Sequence, residues 1–103
     1  MKEYSYRILK QAETDLDAHA TYIAQDDLGA AIKLYDLAKQ TYEMLSELPN
    51  IGIIHRTNKT ELMGIRYMPI KQFSHYLVFY RSIDNRVDII RVLHARTDRD
   101  NWL

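Results

Sequence analysis

Three stretches rich in β-branched and aromatic residues, Leu62–Ile70, His75–Ile83 and Val87–His94, follow one another with links of only a few residues. A parallel crossover needs a dozen or more residues to bring the chain back, so strands joined this tightly pair as an antiparallel meander. Runs such as Tyr76–Tyr80 and Val87–Leu93 have the composition of a largely covered sheet. Asp84 and Asn85 mark the turn between the last two strands, because both side chains tolerate left-handed backbone angles.

The N-terminal half follows other periods. Residues 2–8 alternate Tyr4, Tyr6 and Ile8 against Glu3, Ser5 and Arg7, which predicts a strand with one buried face. From about Lys10 the apolar residues Ala12, Leu16, Ala20 and Ile23 recur at helical spacing. Glu13, Asp15 and Asp17 lie near the start of that helix, where its dipole favours anions. Asp26 or Asp27 can cap a second helix over Leu28–Leu48. Its inward stripe is Ala31, Leu34, Ala38, Thr41 and Leu45, and Pro49 stops it. So short a connection makes the two helices an antiparallel hairpin.

The order strand, helix, helix, strand, strand, strand predicts an α+β two-layer fold. The N-terminal strand and the three-stranded antiparallel meander complete one sheet, the hairpin covers one face, and the other is left for water or a partner. At 103 residues the chain is expected to be a single domain over 1–103, burying roughly 60–70% of the surface its unfolded chain exposes. The tail, Arg96–Leu103, is expected to add a turn of helix capped at Asp98, with Trp102 closing the core or else anchoring a partner.

Composition removes several function classes. With 47% hydrophobic and 27% charged residues the chain is globular. It has no cysteine, which excludes disulfides and thiolate metal sites and fits a reducing cytosol. The N-terminus lacks the apolar run of a secretion signal, and no apolar stretch approaches the roughly 18 residues of a membrane helix. A cytoplasmic protein is expected. No G-x-S-x-G stands in the chain, three glycines are too few for a nucleotide-cradling loop, and no histidines have metal-ligand spacing. Neither metal nor cofactor is expected.

Net charge is zero, which argues against strong unspecific nucleic-acid binding. The halves differ, however. Residues 1–50 hold 5 Lys/Arg and 9 Asp/Glu, a net of −4, and residues 51–103 hold 9 and 5, a net of +4. Such a split arises by chance in many domains; it also suits a basic surface that meets something anionic.

The segment Arg91–Asp98 at the end of the last strand is the most informative. A charged Arg91 inside an apolar strand must be paired or face solvent. Strict alternation puts Arg91 with Ile89 and Leu93, and His94 on the other side with Ile90 and Val92, so the two would not work together on one strand face. A plain structural role is an Arg91 ion pair and a His94 hydrogen-bonded to the tail. Arg66 and Arg81 pose the same question in their own strands, His75 opens a strand, and His19 and His55 are expected at the surface.

The combination Tyr6-x-Ile8, Asp15-Leu16, Tyr22-Ile23, Leu48-Pro49-x-x-Gly52, Arg66, Tyr76–Arg81 and Ile89–His94-x-Arg96-x-Asp98 resembles the ParE branch of the ParE/RelE toxin superfamily, over about residues 4–98. The resemblance implies the toxin of a type II toxin–antitoxin system, silenced by a cognate antitoxin in a hetero-oligomer. In the ParE branch the usual target is DNA gyrase, trapped with cleaved DNA without chemistry by the toxin. Target-binding candidates are then Arg81, Arg91, His94, Arg96, Asp98 and Trp102. The alternative is a RelE-type endoribonuclease acting on messenger RNA in the ribosome, in which Arg66 would bind phosphate, Arg91 stabilise the transition state and His94 transfer a proton. Two departures from RelE stand out: the chain is neutral where that type is strongly basic, and no tyrosine follows Tyr80.

Overall fold

The computed structural model describes residues 5–103. In chain order it contains β1 (Tyr6–Ile8), α1 (Lys10–Ala24), α2 (Leu28–Glu47), β2 (Ile53–Ile54), a 3-10 turn (Thr60–Leu62), β3 (Arg66–Ile70), β4 (Phe73–Ile83), β5 (Arg86–His94) and α3 (Arg99–Trp102). The start of the expected N-terminal strand, with Tyr4, lies outside the described residues.

The strands form one sheet in the order β1-β5-β4-β3-β2. β3, β4 and β5 make the antiparallel meander their short links require, and Asp84 takes the left-handed backbone expected of it, at φ 55°. The hairpin returns the chain so that β1 lies parallel to β5, with Tyr6 opposite Val87 and Ile8 opposite Ile89. The strand expected from Leu62 begins only at Arg66, because Gly64 turns the chain at φ 90°, a conformation that L side chains rarely adopt. β2, a two-residue edge strand on β3, is an addition to the expected order.

Helical periodicity set the hairpin. α1 buries Ala12, Leu16 and Ala20, and α2 buries the whole expected stripe together with Leu37 and Tyr42. Asp27 is the cap, its side chain accepting from the Ala30 amide at 3.0 Å. Against these helices pack Ile70, Val78, Tyr80, Val87, Ile89 and Val92 from the sheet. Burying each large apolar side chain contributes about 1.5–3 kcal/mol, so this layer dominates the fold's stability.

The opposite face is not left open as expected. Leu77, Phe79 and Leu93 pack there with Leu62 and Ile65 into a second core, joined by Tyr67, Ile90, Ala95 and Leu103. The segment before β3 and the C-terminal residue cover side chains too apolar to leave in water.

A bulge explains a second correction. Opposite Phe79 and Tyr80 stand Arg91 and Ile89, so Ile90 is an extra residue in β5. Alternation restarts there. Ile89 and Val92 both belong to the hairpin core, whereas Ile90 and Leu93 join the second one. The expected grouping of Arg91 with Ile89, and of His94 with Ile90, does not survive, whereas Arg91 keeps the side of Leu93 and His94 that of Val92.

Candidate target-binding site

Beyond Ile89 the edge of β5 has lost its neighbour, because β1 ends at Ile8 and the chain turns into α1. Bare edge amides and carbonyls inside a fold need partners. Helix α1 supplies them from two positions one turn apart. The Val92 amide donates to Asp15 Oδ2 at 3.0 Å, and His19 Nε2 donates to the Val92 carbonyl at 2.7 Å. Side chains thus finish the ladder that β1 is too short to continue.

Asp15 also holds Arg91. The guanidinium meets it in a fork, Nε to Oδ2 at 2.7 Å and Nη2 to Oδ1 at 2.9 Å, with both side chains 11% exposed. Its third nitrogen, Nη1, donates to the Trp102 carbonyl at 2.5 Å. The ion pair expected for Arg91 is therefore present, and it ties α1, β5 and the tail together.

The tail is fastened at its other side as well. His55 meets Asp100 Oδ1 at 2.5 Å, Thr57 donates to Oδ2 at 3.2 Å, and Lys59 Nζ donates to the Asp100 carbonyl at 2.7 Å. The His55 hydrogen bond chiefly, and Thr57 and Lys59 after it, hold the Asp100 carboxyl below its ordinary range. His55, expected at the surface, is 5% exposed. Arg99 lies over Tyr67 and Phe79, 4.8 and 5.5 Å from their ring centres. The tail does form a helical turn, but Asp98 does not cap it with a side-chain hydrogen bond to the backbone; its Oδ2 accepts from the Asn101 side chain at 2.6 Å. Trp102 does not close the core. It is 56% exposed.

His94 sits where β5 ends. Its Nδ1 accepts from the Arg96 amide at 3.1 Å, a hydrogen bond to the tail of the kind expected. The acceptor role requires Nδ1 to be unprotonated. Burial first, then the charges of His75, Arg96 and His19, hold the ring below the ordinary imidazole value. The unfolded chain then takes up this proton at higher pH than the folded one, so acidification through the interval below roughly pH 6.5 favours unfolding until the folded ring also titrates. Thermal melts between pH 7 and 5 should show a steeper fall for the wild type than for His94→Gln. Parallel curves would mean that His94 titrates alike in both states.

The structure gathers only part of the expected residue set. Arg91, His94 and Trp102 line one groove of about 190 Å³ with His19 and Thr97, and Arg96 follows two residues after His94. Arg81 stands near the opposite end of the β4–β5 hairpin, opposite Asp88, donating to the Glu61 and Met63 carbonyls at 2.8 and 3.3 Å. Arg66 is on β3 opposite Tyr80, and binds the Gly52 carbonyl at 2.9 Å. Asp15, His19 and His75 are not among the expected site residues. The one sequence clue to Asp15 is that Arg91, in an apolar strand, demands a counter-charge. No group of three His, Asp or Glu among the described residues could hold a metal ion, and no helix among them is long and apolar enough to cross a membrane.

A strand, a two-helix hairpin and an antiparallel meander in one sheet is the order of elements that the resemblance to the ParE/RelE superfamily implies. The family model for the ParE toxin of the type II toxin–antitoxin system parDE matches residues 6–99, and the chain belongs to that family. It is thus a toxin whose system implies a cognate antitoxin as partner. Among solved structures, that of the chromosomal ParDE TA system from P. aeruginosa is similar, with a TM-score of 0.69 over 88% of this chain and 95% of that one. At 18% identity that likeness concerns the fold. No curated protein sequence matches the chain significantly.

Proposed function

We propose that this toxin poisons DNA gyrase by binding, acting as a single domain without cofactor. The observation that carries this reading is the dispersal of the alternative catalytic trio. Arg91, which would stabilise a transition state, spends all three guanidinium nitrogens on Asp15 and the Trp102 carbonyl, and Arg66, which would bind phosphate, commits Nη1 to the Gly52 carbonyl. Arg66 and His94 stand on strands either side of β4, in register with positions four residues apart, Tyr80 and Tyr76. Four residues of strand span about 13 Å, so the two do not start from adjacent positions around one scissile phosphate. Of the binding candidates, His94, Arg96 and Trp102 form the surface offered to the trapped gyrase–DNA complex. Arg91 acts through the tail it holds, and Arg81 and Asp98 lie to the side.

Induced expression should trigger the DNA-damage response and filamentation while translation at first continues, and purified toxin should inhibit gyrase supercoiling. A positioned general acid or base contributes about 10²–10⁴-fold in rate. His94→Gln removes the titratable proton, and on the binding reading should alter potency only a few-fold. Immediate translation arrest with messenger cleavage, nearly abolished by His94→Gln in a protein of unchanged melting temperature, would sink this reading in favour of the ribonuclease.

The antitoxin is the other half of the function. Its inhibitory segment is proposed to be acidic or amphipathic, matching the basic second half of the toxin. Co-expression of the neighbouring reading frame should relieve toxicity and co-purify with the toxin; a neighbour that neither binds nor protects is not the antitoxin.

A further inference from the structure

Aromatic rings crowd the end of the sheet where β5 stops. His75 and His94 stack with centres 5.8 Å apart and planes 6° from parallel. Tyr76 meets His94 edge-on at 5.3 Å, and His19 meets Tyr76 at 4.6 Å. Trp102 and His19 line the groove that His94 closes. Tyr22 follows His19 by one turn of α1, close enough to Tyr76 that, after burial, its charge is the next influence raising the Tyr76 hydroxyl's pKa.

Two of these rings gain little from the fold. Tyr22 is 67% exposed and Trp102 56%. One lies near Tyr76 and the other in the groove with His19 and His94, and large aromatic side chains of this kind are enriched in binding surfaces. Within the groove the charge is balanced, and a cation stands beside it. Asp15, the acid of the groove, is matched by Arg91. Arg96 is exposed, and only its backbone amide takes part in a hydrogen bond among the described residues. A helix-binding groove would be lined by Leu, Ile and Met. Rings with a free guanidinium instead suit flat bases joined by phosphates, which stack on aromatic faces and need a cation for the backbone.

We propose that the surface formed by Tyr22, His75, His94 and Trp102, with Arg96 at its side, binds single-stranded DNA, the rings stacking on unpaired bases and Arg96 meeting a phosphate. The choice of DNA rests on the gyrase reading above, since a trapped cleavage complex exposes broken strands. Zero net charge keeps the affinity modest and salt-sensitive, so the surface acts where the target has already brought the strand close.

The test uses the whole chain and a fluorescein-labelled thymidine dodecamer, followed by anisotropy at low and rising salt. Binding is expected, with quenching of the chain's single tryptophan as its bases stack. Trp102→Ala and Tyr22→Ala should each weaken it at least about fivefold. Arg96→Gln should weaken it and reduce the salt slope by about 0.7, the share of one phosphate on a single strand. Ile32→Ala, on an exposed position of the hairpin at 60% exposure, should change nothing. Melting temperatures confirm that the variants fold. The inference is overturned by absent binding at low salt, by binding that the Trp102 and Tyr22 variants leave intact, or by tighter binding of the matching RNA. It also falls if gyrase protein without DNA captures the wild type but not Trp102→Ala. Supercoiling assays on the same variants separate the two readings. Gyrase inhibition without dodecamer binding overturns the DNA surface and leaves the gyrase target, whereas binding without inhibition overturns the target and leaves the surface.

Discussion

Asp15→Ala should lower stability by about 3–5 kcal/mol, the range for breaking a buried ion pair from one side. For a chain of this size that is a fall of roughly 15–30 °C in melting temperature. The carboxylate answers three donors at once, Nε and Nη2 of Arg91 and the amide of Val92. Its loss leaves a guanidinium that is nearly nine-tenths covered with only the Trp102 carbonyl for company, and an edge amide with no acceptor. Domains of this kind are stable by only about 5–15 kcal/mol in total, so the variant sits close to the threshold for folding at 37 °C.

Removing both charges should hurt less than removing one. Asp15→Leu with Arg91→Met takes away the uncompensated cation along with its partner, and replacement of buried pairs by apolar residues is often neutral or better. The Val92 amide would still lack a partner, so recovery should stop short of the wild type by about 1–3 kcal/mol. The double variant would also release the tail from β5, since the Trp102 carbonyl loses its donor. Toxicity should then fall even where the melting temperature has recovered. If Asp15→Ala melts within a degree or two of the wild type, the pair is an ornament and the latch is held from the His55 side instead.

How far the sequence could foretell this arrangement depended on range. Ala12, Leu16 and Ala20, and Ala31 to Leu45, announce their helices because the period repeats within a few turns and the core lies on one side. The meander was legible for a similar reason, since its links are too short for anything else. The parallel pairing of β1 is not written in three residues. The bulge at Ile90 is hidden because an extra isoleucine in an apolar run leaves the composition unchanged, yet it shifts every later side chain to the other face. Arg91 announces that it needs a counter-charge. That the charge is Asp15, 76 residues earlier, emerges only when α1 crosses the open edge of β5. His55 misleads in the same manner: the polar run that follows it suggests solvent, yet it packs edge-on against Phe79 and meets Asp100 of the tail. Tyr22 and Trp102 are ordinary core residues by type, and only their exposure separates them from the tyrosines that pack.

The motif Leu48-Pro49-x-x-Gly52 has a physical basis in the ring of Tyr80 beneath it. The Tyr80 hydroxyl, on a side chain with no exposed surface, accepts from the Gly52 amide at 2.9 Å and donates to the Pro49 carbonyl at 2.9 Å. Burial pushes that hydroxyl's pKa up, against the smaller opposing pull of the Gly52 hydrogen bond and of Arg66. The ring therefore serves as a pillar under the turn after α2, and the turn must come down onto it. A Cβ at Gly52 would overlap the hydroxyl and stand 2.7 and 2.9 Å from two ring carbons, well inside contact distance. A tyrosine walled in by the hairpin core cannot move aside, so Gly52→Ala must lift the turn. That costs the overpacking strain and at least one of the two hydrogen bonds, about 2–4 kcal/mol together and roughly 10–25 °C in melting temperature. Tyr80→Phe alone should cost about 1–3 kcal/mol, by leaving the Gly52 amide without its acceptor. Combining the two substitutions should cost less than their sum, because the hydroxyl that meets the new methyl group is gone. Strict additivity would show that the turn already stands clear of the ring, and with it that this glycine is dispensable.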